Sequence, residues 1–321
     1  MIDENSFLTA GRFASELPQI EAFWRSEVKQ HRYETKDGLH LDCAEVVPPG
    51  AREQLLIIPG RGETAHKYAE FFYELSALGI RAAVLFVRGQ GTSSRLLADP
   101  QKCHIGSFAD LLSDVRLFAS CLGYASYGLL AFSFGCLISL AAMKEGALSP
   151  ARVCLIAPYL WPNTKYSPWQ LRLIAAAGSL PWLRCRFTPY GKAYRDIPFD
   201  QNYHCHCKER YEAYHAYYRE HPELTIGAPT FGFLHEATAQ QLRLFASDSG
   251  LKAPCLFMPA AQDRVVLSSA AAAFCKKHQH DAAKPCLESI EGSWHDVINE
   301  VDSIRNPALA RALNFIFGDT K

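Results

Sequence analysis

Short runs of consecutive apolar residues recur along the chain, and a turn residue follows each of the first four. Gln54–Ile58 runs into Pro-Gly, Arg81–Val87 into Arg-Gly, Gly128–Phe132 into Ser-Phe-Gly and Val153–Ala157 into Pro. Pro254–Pro259 is a fifth run and Cys286–Ile290 a weaker sixth. Uninterrupted apolar strands suit burial on both faces, as in a parallel sheet. Between them, residues 66–78, 107–121, 134–146 and 302–316 place apolar side chains at helical spacing, with Ser107 and Asp110 offering a cap. The alternation predicts right-handed crossovers and an α/β fold built on a mostly parallel, doubly wound sheet. Ahead of it, residues 18–28 predict a short amphipathic helix. Residues 31–49 predict a hairpin turning at Lys36-Asp37-Gly38.

The rhythm stops between about Pro162 and Asp248. This stretch is rich in Trp, Tyr and Phe and holds no buried-strand run. A structureless loop of that length does not belong in a compact domain. The expectation is a mostly helical insertion between two core strands. The chain then divides into a first core part (1–160), a helical cap (161–248) and a second core part (249–321).

Composition narrows the function classes. The 321 residues carry 33 basic and 33 acidic side chains, and 49% of the chain is hydrophobic. With no basic surplus, nucleic acid is not an expected partner. The 11 cysteines are scattered, several inside apolar runs, which fits buried thiols in a reducing compartment. The N-terminus lacks the basic and apolar regions of a secretory signal, and no stretch has the ~18 apolar residues of a membrane span. The expectation is a soluble cytoplasmic protein, with peripheral contact at the inner face of a membrane left open and no oligomeric state indicated.

The chemistry concentrates where the third apolar run meets the next helix, at Ala131-Phe132-Ser133-Phe134-Gly135. A serine on a sharp strand-to-helix turn, with small residues two before and two after it, forms a nucleophile elbow. The plainer alternative makes Ser133 an ordinary helix N-cap. Partners in the expected order favour the nucleophile. Asp263 follows the fifth run and His295 the sixth, each past the carboxyl end of a strand, where open α/β sheets place their chemistry. His295 is then the general base and Asp263 the group that fixes its tautomer. Asp248, Asp281 and Asp296 are weaker rivals for the acid; His278 and His280 sit in a polar, exposed-looking stretch. An oxyanion also needs two backbone N–H donors. Phe134 offers one. The loop Pro59-Gly60-Arg61-Gly62-Glu63 offers the other, through Arg61, and its spacing fits neither a dinucleotide nor a Walker phosphate loop.

Several strings together resemble one family. IIPGRGE, VRGQGTSSRLLADP, HIGSFADLLSDVRLF, AFSFG, AAQDRVV and GSWHDV look like the lysophospholipase L2 and monoacylglycerol lipase group of α/β-hydrolases. RGQGTSSRLLADP and the HIGSF stretch are the most specific, and residues 224–237 resemble that family's cap. The resemblance spans roughly residues 30–305. It implies the α/β-hydrolase fold with a helical cap and hydrolysis of single-chain acyl esters. It implies no metal or organic cofactor. By motif match Ser133, Asp263 and His295 take the triad roles, and Arg61 and Phe134 the backbone oxyanion roles. Where many relatives carry His-Gly and an Asp before Arg-Gly, this chain has Pro59-Gly60 and Phe86; neither departure removes a catalytic group.

A cap over the strand ends should supply an apolar wall for an acyl chain. Leu180, Trp182, Phe231, Phe233 and Leu234 are the candidates, chiefly Trp182, Phe231 and Phe233. Arg61, Arg184, Arg186, Lys192 and Arg195 are candidates for meeting a phosphate, with Arg61 foremost. His204-Cys205-His206-Cys207 invites a metal reading, but adjacent ligands on extended chain point alternately and no second ligand pair completes a site. No metal is expected.

Overall fold

The computed structural model describes residues 1–318. Helix α1 (Ala10–Ser26) leads into strands β1 (Val28–Glu34), β2 (His40–Val46) and β3 (Glu53–Ile58). Helix α2 (Ala69–Ala77), β4 (Ile80–Phe86), α3 (Phe108–Leu122), β5 (Gly128–Phe132), α4 (Phe134–Lys144) and β6 (Arg152–Ile156) follow. The next ~100 residues hold helices α5 (Pro168–Ala176), α6 (Pro181–Arg184), α7 (Lys208–Glu220) and α8 (Phe231–Ala246) and no strand. The core resumes with β7 (Cys255–Met258), α9 (Ser268–Lys277), β8 (Cys286–Leu287) and α10 (Asp302–Phe317).

The sheet order is β1-β2-β4-β3-β5-β6-β7-β8. The first two pairings, β1 with β2 and β2 with β4, are antiparallel; all others are parallel. The continuous apolar runs are explained by what covers them. Leu56, Ile58, Leu129 and Ala131 enter one core layer, with residues of α3, α4 and α8. Their neighbours Leu55, Ile57, Leu130 and Phe132 enter the opposite layer, with α2 and α10. Side chains alternate between two dry faces, so both sets of these positions are apolar. These features are those of an α/β-hydrolase.

Some elements differ from the sequence reading. Helix α1 starts at Ala10, eight residues before the expected start, capped by the Thr9 hydroxyl and with Pro18 inside it. Helix α9 has no counterpart among the periodic stretches, because its Ser-Ser-Ala-Ala-Ala-Ala start carries little amphipathic pattern. The sixth run forms only the two residues of β8. His278 is buried rather than exposed, because it lies one turn after Phe274 on the same face; its Nδ1 is 2.7 Å from Asp281.

The inserted helices are tied to the core by a buried ion cluster. Arg210 of α7 is fully buried and reaches Glu70 of α2 at 2.9 Å and Asp302 of α10 at 2.8 Å. No helix among the described residues is long and apolar enough to cross a membrane.

Candidate active site

Strand order reverses where β3 lies between β4 and β5, so the crevice opens beyond the carboxyl ends of β3 and β5. Ser133 sits there, between β5 and α4, with φ 49° and ψ −113°. A left-handed φ is costly for a residue with a Cβ, and such strain persists only where the surroundings over-determine it. Here its N–H is held by the Ile156 carbonyl at 3.0 Å, and its carbonyl accepts from Cys136 and Tyr159. The turn demands small neighbours. A Cβ on Gly135 would stand 2.1 Å from the Ile58 carbonyl oxygen, so α4 could not lie this close to β3 with any other residue. The Ser133 hydroxyl caps no helix N–H. It lies instead 2.9 Å from His295 Nε2.

His295 Nδ1 is 2.7 Å from Asp263 Oδ2. A carboxylate only accepts, so Nδ1 carries the proton and Nε2 is left to accept from Ser133 Oγ. The other Asp263 oxygen accepts from the N–H groups of Val265 and Val266, which fixes the carboxylate from the far side. The His295 ring rests on Phe132, with centroids 5.2 Å apart. The three residues picked out by sequence order are thus joined in one hydrogen-bonded line.

The loop after β3 carries the second expected donor. Gly60 N–H donates to Glu63 Oε2 at 2.6 Å and Gly62 N–H to Gln90 Oε1 at 2.7 Å. Between them the Arg61 N–H has no partner among the described residues. Gly62 takes φ 75°, a value that favours glycine. Phe134 opens α4, where N–H groups have no intrahelical acceptor. Its ring packs into the core against Phe233 at 4.9 Å.

Lys67 is a residue that sequence reasoning missed. Its ammonium bridges Glu63 and Asp296, the latter at 2.8 Å, with all three side chains nearly buried. It ties the loop of Arg61 to the loop of His295. Burial alone would lower its pKa, but the two carboxylates hold it well above the ordinary lysine range. Its position four residues after Glu63 on a helical turn was the available signal.

A cavity of about 380 Å³ stands over Ser133. Its wall is more polar than expected, with Tyr194, Tyr203, His204, Tyr214 and Tyr218 among the lining residues. Trp182, Phe231 and Phe233 do not line it. Helix α6 leaves Trp182 66% exposed; Phe233 turns inward and is 3% exposed. Phe231 begins α8 and donates its N–H to the Arg186 carbonyl. Leu180 is exposed, and Leu234 packs beside Leu171 and Ala175. Of the basic candidates, Arg61, Lys192 and Arg195 reach the cavity. Arg184 is paired with Glu236, and Arg186 lies elsewhere.

The His204–Cys207 segment ties the inserted segment to the loop of His295. The Asp296 N–H donates to the His204 carbonyl at 2.7 Å. His206 meets Glu300 at 2.9 Å and stacks on Trp294. Cys205 and Cys207 are buried, while the His204 ring faces the cavity.

The chain belongs to the family described as serine aminopeptidase, S33, whose model matches residues 49–302. It is similar to lysophospholipase L2 of Escherichia coli K12, 28% identical over 271 residues, covering 81% of this chain and 79% of that one. It is also similar to a probable lysophospholipase L2 of Haemophilus influenzae, 25% identical over 88% of this chain and 90% of that protein. In structure it resembles a soluble variant of Saccharomyces cerevisiae monoglyceride lipase solved with a substrate analogue. The TM-score there is 0.70 at 16% identity, over 92% of this chain and 97% of the other.

Proposed function

We propose that the protein hydrolyses carboxylic esters of single-chain lipids, lysophospholipids or monoacylglycerols, through an acyl-enzyme on Ser133. The observation that carries this reading is the line from Ser133 Oγ to His295 Nε2 (2.9 Å) and from His295 Nδ1 to Asp263 (2.7 Å). His295 takes the hydroxyl proton as Ser133 attacks the ester carbonyl, then gives it to the leaving alcohol. Asp263 holds the ring and stabilises the imidazolium. The N–H groups of Arg61 and Phe134 receive the developing oxyanion. Water then repeats the sequence and frees the acid and Ser133.

The substrate class draws support from the named activities of the relatives. The 161–248 segment acts as a cap over the cavity, and Arg61, Lys192 and Arg195 give its mouth cations able to meet a phosphate. The family description raises a peptidase reading. An aminopeptidase needs a free carboxylate for the substrate's terminal ammonium. The cavity's acids, Glu63 and Asp296, are both engaged by Lys67, which favours the ester.

Fluorophosphonate labelling tests the nucleophile: labelling of the wild type and none of Ser133→Ala is expected, and an unlabelled wild type would overturn the reading. Rates on lysophosphatidylcholine, monoacylglycerol and an alanine anilide then separate the substrates, with the anilide expected to be inert.

A further inference from the structure

The His204 ring stands beside His295 in the cavity. Asn202 Oδ1 accepts from the backbone N–H groups of His204 at 2.9 Å and Cys205 at 3.1 Å, fixing a tight turn. The Asp296 N–H fixes the His204 carbonyl. With its backbone held from both sides, the His204 ring lies between Tyr203, at 4.4 Å, and the edge of His295, at 6.2 Å between centroids. Neither ring nitrogen bonds any group among the described residues, and the ring lines the cavity. Burial, with the neighbouring cations Lys67 and Arg61 adding to it and Asp296 opposing, pushes its pKa down to about 3. A neutral imidazole offers one donor and one acceptor.

The position decides what those groups can meet. His295 must deliver its proton to the leaving oxygen, so the leaving alcohol lies against His295. Phe132 packs against that ring at 5.2 Å and His204 stands 6.2 Å from it, and all three line the cavity. A substituent a few bonds from the ester oxygen reaches His204; the acyl chain leaves from the other side of the carbonyl.

We propose that His204 is a specificity-determining residue that hydrogen-bonds a hydroxyl of a polyol leaving group, of the glycerol type, beside the scissile ester. The inference rests on the ester-hydrolase reading above. It makes the enzyme selective for the alcohol rather than for the acid.

Two esters of one acid test it. Monooctanoylglycerol and ethyl octanoate form the same acyl-enzyme and differ only in the alcohol released during acylation, which kcat/KM reports. H204F keeps a ring against His295 but loses the hydrogen bond. It is expected to lower kcat/KM for monooctanoylglycerol about tenfold, the worth of one lost bond, and to leave ethyl octanoate within about twofold. H204Q, with a donor and an acceptor, is expected to recover most of the loss. An equal fall on both esters would overturn the inference in favour of a role in holding His295, and so would no fall on either. A wild type that cleaves neither ester would overturn the ester reading itself, and this inference with it.

Discussion

Lys67 and Asp296 meet at 2.8 Å under the cavity, one residue beyond His295. The contact joins the loop of His295 to the loop of Arg61, because Lys67 also holds Glu63, whose other oxygen fixes Gly60 N–H. Removing the ammonium leaves two buried carboxylates facing each other. Breaking a buried pair in this way costs about 3–5 kcal/mol. Lys67→Met is therefore expected to lose about 3 kcal/mol in urea denaturation, with a fall in kcat as both loops shift. Lys67→Arg should keep part of both. A Met variant within about 1 kcal/mol of wild type would mean that the loops hold themselves.

The doubly wound sheet was legible because burial on both faces writes strands as unbroken apolar runs; Leu55 and Leu56 go to opposite core layers, yet neither meets water. The serine turn was legible because Gly135 must pass the Ile58 carbonyl, a steric demand that leaves a mark at a fixed offset. Contacts between distant segments leave no such mark. His204 carried no expected role in sequence, where its His-Cys-His-Cys string argued against a metal, and it lies beside His295 only because the inserted segment returns to the His295 loop. The aromatic residues of the insertion read as a substrate wall, but hydrophobicity alone does not say which side of a helix faces the cavity.

Phe233 and Trp182 make that difference measurable. Phe233 is buried against Phe134, and truncating a buried Phe costs about 3–5 kcal/mol. Trp182 is two-thirds exposed, so Trp182→Ala is expected to stay within about 0.5 kcal/mol. Hydrolysis of a short soluble ester should be unchanged in Trp182→Ala. A selective loss on that ester would bring Trp182 back to the substrate.

The low pKa of His204 sets a pH dependence of stability. The imidazole titrates near its ordinary 6.5 when unfolded and near 3 when folded. Between these values the unfolded chain binds a proton that the folded chain does not. The contribution is fully present above about pH 6.5 and is lost as pH falls toward about 3, with a slope of at most ~1.4 kcal/mol per pH unit. His104 and His215, lowered chiefly by burial, act in the same direction. In H204F this part of the acid loss should vanish. Urea midpoints measured from pH 7 to pH 4 should therefore fall less steeply in the variant. Parallel curves would show that His204 titrates alike in the folded and unfolded chain.

The Ser133 backbone predicts a trade between stability and activity. At φ 49° and ψ −113° a side-chain-bearing residue carries strain of about 1–3 kcal/mol. Glycine adopts such angles freely, at the cost of about 0.5–1 kcal/mol of extra freedom in the unfolded chain. Ser133→Gly is thus expected to gain about 1 kcal/mol in denaturation. Ester hydrolysis should drop by several orders of magnitude in the same variant, since the nucleophile and its base act as a unit. Ser133→Ala should match the activity loss without the backbone relief, so the two variants together isolate the strain. A Gly variant less stable than the Ala variant by about 0.5–1 kcal/mol, the bare entropy cost of glycine, would show that the turn holds Ser133 without strain.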